Sequence, residues 1–87
     1  MSQATWYVYI VQCRDNTLYT GISTDPETRV VEHNIGQNGA KYTRARRPVS
    51  LLYAEPAASR SAALKREIAI KRMTRQAKLA LINKLSD

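Results

Sequence analysis

The run WYVYIVQC, residues 6–13, constrains the fold more than any other stretch of the chain. It is β-branched and aromatic, as strands prefer, and apolar at nearly every position where a half-exposed strand would alternate. Such a strand is buried on both faces, so other elements must cover both of its sides. The 87-residue chain supplies one small core for this, since a domain of that size buries only about 60% of the surface its unfolded chain exposes. The same run is far too short to cross a bilayer, which takes about 20 apolar residues.

The residues after Cys13 supply the covering elements. RDNT carries turn chemistry in Asp15 and Asn16, and TLYTGI (17–22) forms a second strand, closing an antiparallel hairpin. TDPETRVVEHNIG is predicted to be a helix capped by Thr24 or Asp25, with Pro26 in its first turn and Gly36 at its end. A polar, basic loop spans 37–48, VSLLYAE (49–55) is a third strand closed off by Pro56, and a helix runs from Ser59 to about Met73. Thr74 caps a last helix through Leu85. The order β-β-α-β-α-α predicts one α+β domain over residues 1–87, with a core of about 5–85, in which a small three-stranded antiparallel sheet is flanked by three helices.

Charge divides the chain. Residues 1–40 hold two basic and four acidic side chains, and residues 41–87 hold twelve and three, so net charges of −2 and +9 sum to +7. A basic half of this strength attracts polyanions, and nucleic acid is the commonest inside cells. No helix pairs a basic face with a Trp- or Phe-bearing apolar one, which argues against a membrane surface. Cys13 has no second cysteine to bond, and the opening MSQAT lacks the basic and apolar regions of a secretory leader, so a cytoplasmic setting is expected.

Several residues invite a chemical reading. Arg29 and His33 stand four apart on the first helix and share a face. On the later helix, Glu67 falls among Ala63, Leu64 and Ile70, inside the apolar arc. A carboxylate there needs a partner such as a metal ion or an arginine. Tyr9 and Tyr19 share a sheet face only if the hairpin loop has an odd number of residues, which we expect; a two-residue turn would put them on opposite faces. Plainer explanations stand beside each. The tyrosines can fill a core, Arg29 can pair with Glu32, His33 can complement a helix C-terminus, and Glu67 can pair with Lys71.

Taken in order, YVY (7–9), YTG (19–21), Arg29, His33, Asn34 and the glutamate inside LKREIAIKR resemble the GIY-YIG nuclease family. The resemblance extends from Trp6 to about Leu85. It is nearest to the small stand-alone bacterial members and, beyond them, to the nuclease domains of structure-specific repair endonucleases. It implies that Tyr9, Tyr19, Arg29 and His33 are catalytic, that Gly21 is structural in the motif, and that Glu67 holds one Mg²⁺ or Mn²⁺ ion. Either tyrosine, helped by His33, is then the candidate to take a proton from water. Two positions depart from the pattern: Tyr7 replaces a glycine and Thr20 replaces an isoleucine. Ile22 also stands near where some repair members carry a lysine.

The chemistry asks for the same residue types. Water attack on a phosphodiester needs positive charge on the non-bridging oxygens, and a guanidinium suits that task because it stays charged and binds phosphate in a fork. The implied activity is hydrolysis of DNA phosphodiesters, selective for branched, flapped or damaged forms and linked to repair or processing. The implied partner is nucleic acid, DNA rather than RNA. KYTRARRP offers Lys41, Arg44, Arg46 and Arg47 for phosphates and Tyr42 for stacking on an unpaired base. Arg60, Lys65, Arg66, Arg72 and Arg75 extend the basic surface. The alternative is a binding module that keeps this fold without turnover.

Overall fold

A computed structural model describes residues 4–35 and 45–84. Three strands, β1 (Trp6–Gln12), β2 (Leu18–Ser23) and β3 (Ser50–Ala57), form an antiparallel sheet of order β2-β1-β3. Three helices accompany them among the described residues: α1 (Pro26–Ile35), α2 (Arg60–Lys71) and α3 (Arg75–Lys84). The architecture is the α+β arrangement expected.

The apolar run is the central strand. Val8, Ile10 and Val11 are fully buried and Tyr9 nearly so, each such side chain being worth about 1.5–3 kcal/mol of transfer free energy. Val8 and Ile10 face Tyr53, Ala63 and Ile70, with Leu81 and Ile82 of α3 alongside. Tyr9, Val11 and Cys13 face the other way, against Val49, Leu51 and Val30 of α1. The sheet is therefore covered by α1 on one face and by α2 and α3 on the other.

Local chemistry sets each junction. The hairpin loop spans residues 13–17, an odd number, with Asn16 in the left-handed region at φ 68°. Asp15 Oδ1 accepts from the Thr17 amide at 3.2 Å and from the Thr17 hydroxyl at 2.6 Å. Asp25, rather than Thr24, caps α1: its carboxylate accepts from the amide and hydroxyl of Thr28. Ser59 and Thr74 cap α2 and α3 through the amides of Ala62 and Ala77.

The third strand corrects one expectation. It does not stop at Pro56, which pairs with Tyr7, and it continues to Ala57 opposite Trp6. β3 is an edge strand, where a residue without an N–H is tolerated. A bulge between Ile10 and Val11 pairs Ile10 with Tyr53 and Val11 with Leu51, leaving Leu52 between them and exposed. The extra residue turns Tyr53 and Leu51 to opposite faces, so each joins a different core. Gly36 and most of the expected 37–48 loop lie outside the described residues.

Candidate active site

The odd loop decides the site's geometry. Tyr9 pairs with Gly21 and Val11 with Tyr19, so both tyrosines project from the face that α1 covers. His33, one turn after Arg29 on α1, is fully buried between them. Its Nε2 lies 3.0 Å from the Tyr9 hydroxyl in a hydrogen bond, and its ring meets Tyr19 edge-on with centroids 5.5 Å apart. Gly21 explains itself here. A Cβ on it would fall 2.5 Å from the Tyr9 hydroxyl and 2.7 Å from Cζ, so the Tyr9 ring occupies the space a side chain would need. The motif's glycine is a close-approach residue.

Charge ties the other two residues in. Burial pushes the Tyr9 phenol up to about 12, with the Tyr19 phenol adding to the rise. Arg29, hydrogen-bonded to Tyr9, pulls the other way, and the negative charge of Glu67 opposes ionisation. Tyr19 is also raised, first by burial, with Arg29 lowering it and Glu67 raising it. His33 is held below its usual 6.5 by burial and then by the Arg29 charge. The Glu67 carboxylate, on the helix of the opposite layer, is thus felt at both hydroxyls. The structure gathers Tyr9, Tyr19, Arg29 and His33 in one cluster within electrostatic reach of Glu67.

The plainer pairings form as well. Arg29 Nη1 stands 3.7 Å from Glu32 Oε1, and Lys71 Nζ 3.7 Å from Glu67 Oε1. Both are long contacts, of the kind worth only a few tenths of a kcal/mol, about 0.2–0.5. The Glu67 side chain is 17% exposed, which leaves its carboxylate reachable from solvent. No group of three or more His, Cys, Asp or Glu side chains suited to a metal exists among the described residues. A single carboxylate at a partly open position fits a Mg²⁺ ion that keeps several waters, and would not suit an ion needing a full protein cage.

Of the expected phosphate-binding residues, Arg46 donates Nε to Asp15 Oδ2 at 3.1 Å, and its carbonyl accepts from the Arg14 amide. Arg47 donates Nε to the His33 carbonyl, at the end of α1. Both fasten their segment to the site's frame. Lys41, Tyr42 and Arg44 lie outside the described residues. Sequence reasoning gave Asn34 no task, yet it clamps α1 to Val49, the residue just before β3. Its Oδ1 accepts from the Val49 amide at 2.7 Å and its Nδ2 donates to the Val49 carbonyl at 3.1 Å. The one signal for it was its place beside His33 in the motif. Tyr7, at the variant glycine position, lines a cleft of about 340 Å³ with the start of α1 and with Leu51 and Ala54 of β3.

Comparison with known proteins identifies the family. The sequence profile of the GIY-YIG catalytic domain matches residues 5–80. A UPF0213 protein of Staphylococcus haemolyticus is 54% identical over 79 residues, covering 91% of this chain and 95% of that protein. One from Desulfotalea psychrophila is 54% identical over 77 residues, covering 88% of this chain and 70% of its own. Among solved structures, the solution NMR structure of a UPF0213 protein from Bacillus halodurans aligns with TM-score 0.57 at 37% identity, over 91% of this chain and 83% of that one. A protein of E. faecalis, also solved by NMR, gives TM-score 0.64 at 38% identity, over 98% and 90%.

Proposed function

This chain belongs to the GIY-YIG catalytic domain family, and from that membership we propose that it is a divalent-metal-dependent DNA endonuclease, selective for branched, flapped or damaged forms and serving repair or processing in the cytoplasm. One observation carries the reading. Tyr9, hydrogen-bonded to His33, and Tyr19, edge-on to the same imidazole, form one cluster with Arg29 one turn earlier on the same helix.

Each residue has a task in that reading. Arg29 binds the non-bridging oxygens of the scissile phosphate, where negative charge accumulates. Glu67 would hold one Mg²⁺ or Mn²⁺, whose chemistry when bound is to polarise the phosphate and stabilise the departing oxygen. Tyr9 takes a proton from the attacking water as it passes its own to His33 Nε2. The resulting hydroxide bonds phosphorus and the leaving oxygen departs. Such a relay suits a phenol near 12, because no free tyrosinate has to accumulate. Tyr19 flanks the same imidazole and orients it. Lys41, Tyr42 and Arg44 supply the substrate grip, on a segment that Arg46 and Arg47 fasten to Asp15 and the His33 carbonyl.

The alternative, a binding module without turnover, draws on the two ion pairs, since Arg29 and Glu67 each already have a partner. Incubation with end-labelled junction, flap and duplex DNA plus Mg²⁺ or Mn²⁺ separates the two. We expect cleavage that Arg29→Ala and Glu67→Ala each reduce by about 10²–10³-fold, with binding kept. Binding without cutting by the parent protein leaves the module.

A further inference from the structure

The segment that leads into β3 is fastened on two sides. On the hairpin side, Arg46 donates Nε to Asp15 Oδ2 at 3.1 Å, and its carbonyl accepts from the Arg14 amide at 2.9 Å. On the helix side, Arg47 donates Nε to the His33 carbonyl, and Asn34 grips the amide and carbonyl of Val49. Residues 46–49 thus bridge the β1–β2 loop and the end of α1. Arg46 reaches the hairpin, whereas Arg47 reaches the residue whose imidazole meets Tyr9.

His33 sits in the last turn of α1, where helix carbonyls lack intrahelical partners and carry the negative end of the dipole. A guanidinium suits that place, because it stays charged and its planar fork holds a fixed direction. The imidazole has no slack to correct an error in the backbone, since it is fully buried. Tyr9 lies 3.0 Å from its Nε2, and Tyr19 stands edge-on with centroids 5.5 Å apart. Where the His33 backbone is held, the ring must follow.

We propose that Arg47 is a positioning residue: by holding the His33 carbonyl it sets the imidazole against the Tyr9 hydroxyl, and it does not bind substrate phosphate. The inference rests on the nuclease reading for the use made of His33, the acceptor of the Tyr9 proton. Charge works in the same direction. Among the described residues, Tyr9 of β1, Tyr19 of β2, Arg29 and Glu32 of α1, and Arg47 ahead of β3 face the imidazole. Burial and then Arg29 favour the neutral ring, Glu32 opposes them, and Arg47 favours it again. A proton acceptor must be neutral. One side chain therefore places the ring and helps to keep it able to accept.

The test uses the full chain, Arg47→Gln and, as a control, Arg46→Gln, with folding checked by circular dichroism. His33 is the chain's only histidine, so NMR reads its titration without overlap from another imidazole. We expect the midpoint to rise toward 6.5 in Arg47→Gln, to stay parental in Arg46→Gln, and to return toward the parental value in Arg47→Lys. A folded Arg47→Gln with the parental midpoint overturns the proposal, as does an equal rise in Arg46→Gln. Binding to a four-way DNA junction in EDTA, from about 50 to 200 mM salt, separates positioning from grip. The log–log slope of Arg47→Gln is expected to match the parent's. A fall of about 0.9, the mark of one lost phosphate contact, overturns the proposal. If Arg47→Gln does not fold, the parent protein carries the test: its Arg47 Nε–H resonance is expected to move with the His33 midpoint, and one that ignores it overturns the proposal.

Cleavage reports separately on the first reading. In a protein that cuts, Arg47→Gln is expected to lower kcat by about 10²-fold with KM unchanged. A midpoint that moves in a protein that cuts nothing keeps the positioning role and removes the nuclease. Undiminished cutting by Arg47→Gln at the parental midpoint does the reverse.

Discussion

The two faces of the central strand are built from alternate residues of one run yet follow different rules. Under α2 and α3, Val8 and Ile10 meet Tyr53, Ala63 and Ile70 in a core that is almost wholly hydrocarbon. Under α1, Tyr9 and His33 bring polar atoms to equally deep positions and satisfy them against each other. The first face holds the domain together. On the second, buried polar groups are tolerated because each has a partner, and unpartnered they would each be costly. A small domain can thus keep a chemical cluster at zero exposure if the opposite face is left to apolar burial.

The sharpest way to break that division is at Gly21, where the cluster depends on an absent side chain. In Gly21→Ala the new Cβ meets Tyr9 at 2.5–3.0 Å, and the ring, 1% exposed, has no open space to enter. Overpacking of this kind typically destabilises by about 1–3 kcal/mol. We expect a loss near the upper end in urea denaturation, together with loss of the Tyr9–His33 contact seen as a shifted His33 imidazole resonance by NMR. A variant of parental stability with an unshifted resonance would mean that Tyr9 does not depend on the gap.

Much of this is legible in the chain itself. The double-sided burial of residues 6–12 follows from an unbroken apolar run, and the odd hairpin loop follows from asking what would bring Tyr9 and Tyr19 together. The Thr74 cap, and the first helix's cap to within the choice of Thr24 or Asp25, are visible because short polar side chains before an apolar period have few other uses. What stays hidden is tertiary. Pro56 reads as a stop unless the strand is known to lie at an edge. The bulge that separates Leu51 from Tyr53 leaves no mark in a local pattern. Arg47 reads as part of a phosphate-binding loop, and only the fold shows it donating to the His33 carbonyl.

A smaller effect separates the faces by titration. Burial and the Arg29 charge hold the His33 imidazole below 6.5. The unfolded chain therefore takes up a proton at a pH where the folded one does not. The stabilisation is present above 6.5 and is lost as pH falls through that value toward the folded one. We expect urea midpoints to drop between about pH 7.5 and pH 5.5, and the drop to be shallower in His33→Gln. Equal slopes in both proteins would place the titration elsewhere. The aliphatic face contributes no histidine to this window.

The smallest effect lies on the aliphatic face, and it has the opposite sign. Thr20 pairs with Ile10 and is 3% exposed, and its Oγ1 has no hydrogen-bond partner among the described residues. Among the described residues it is the one buried side-chain polar atom left without a partner, and the family pattern carries isoleucine there. An unsatisfied buried hydroxyl is a net burden, and a methyl of the same shape removes it. Thr20→Val keeps the β-branch that a strand favours. We expect it to stabilise by about 1 kcal/mol, read from the urea midpoint at constant slope, without moving the His33 resonance. Destabilisation would mean that the hydroxyl has a partner, such as a buried water, and that the two faces obey the same rule for polar atoms after all.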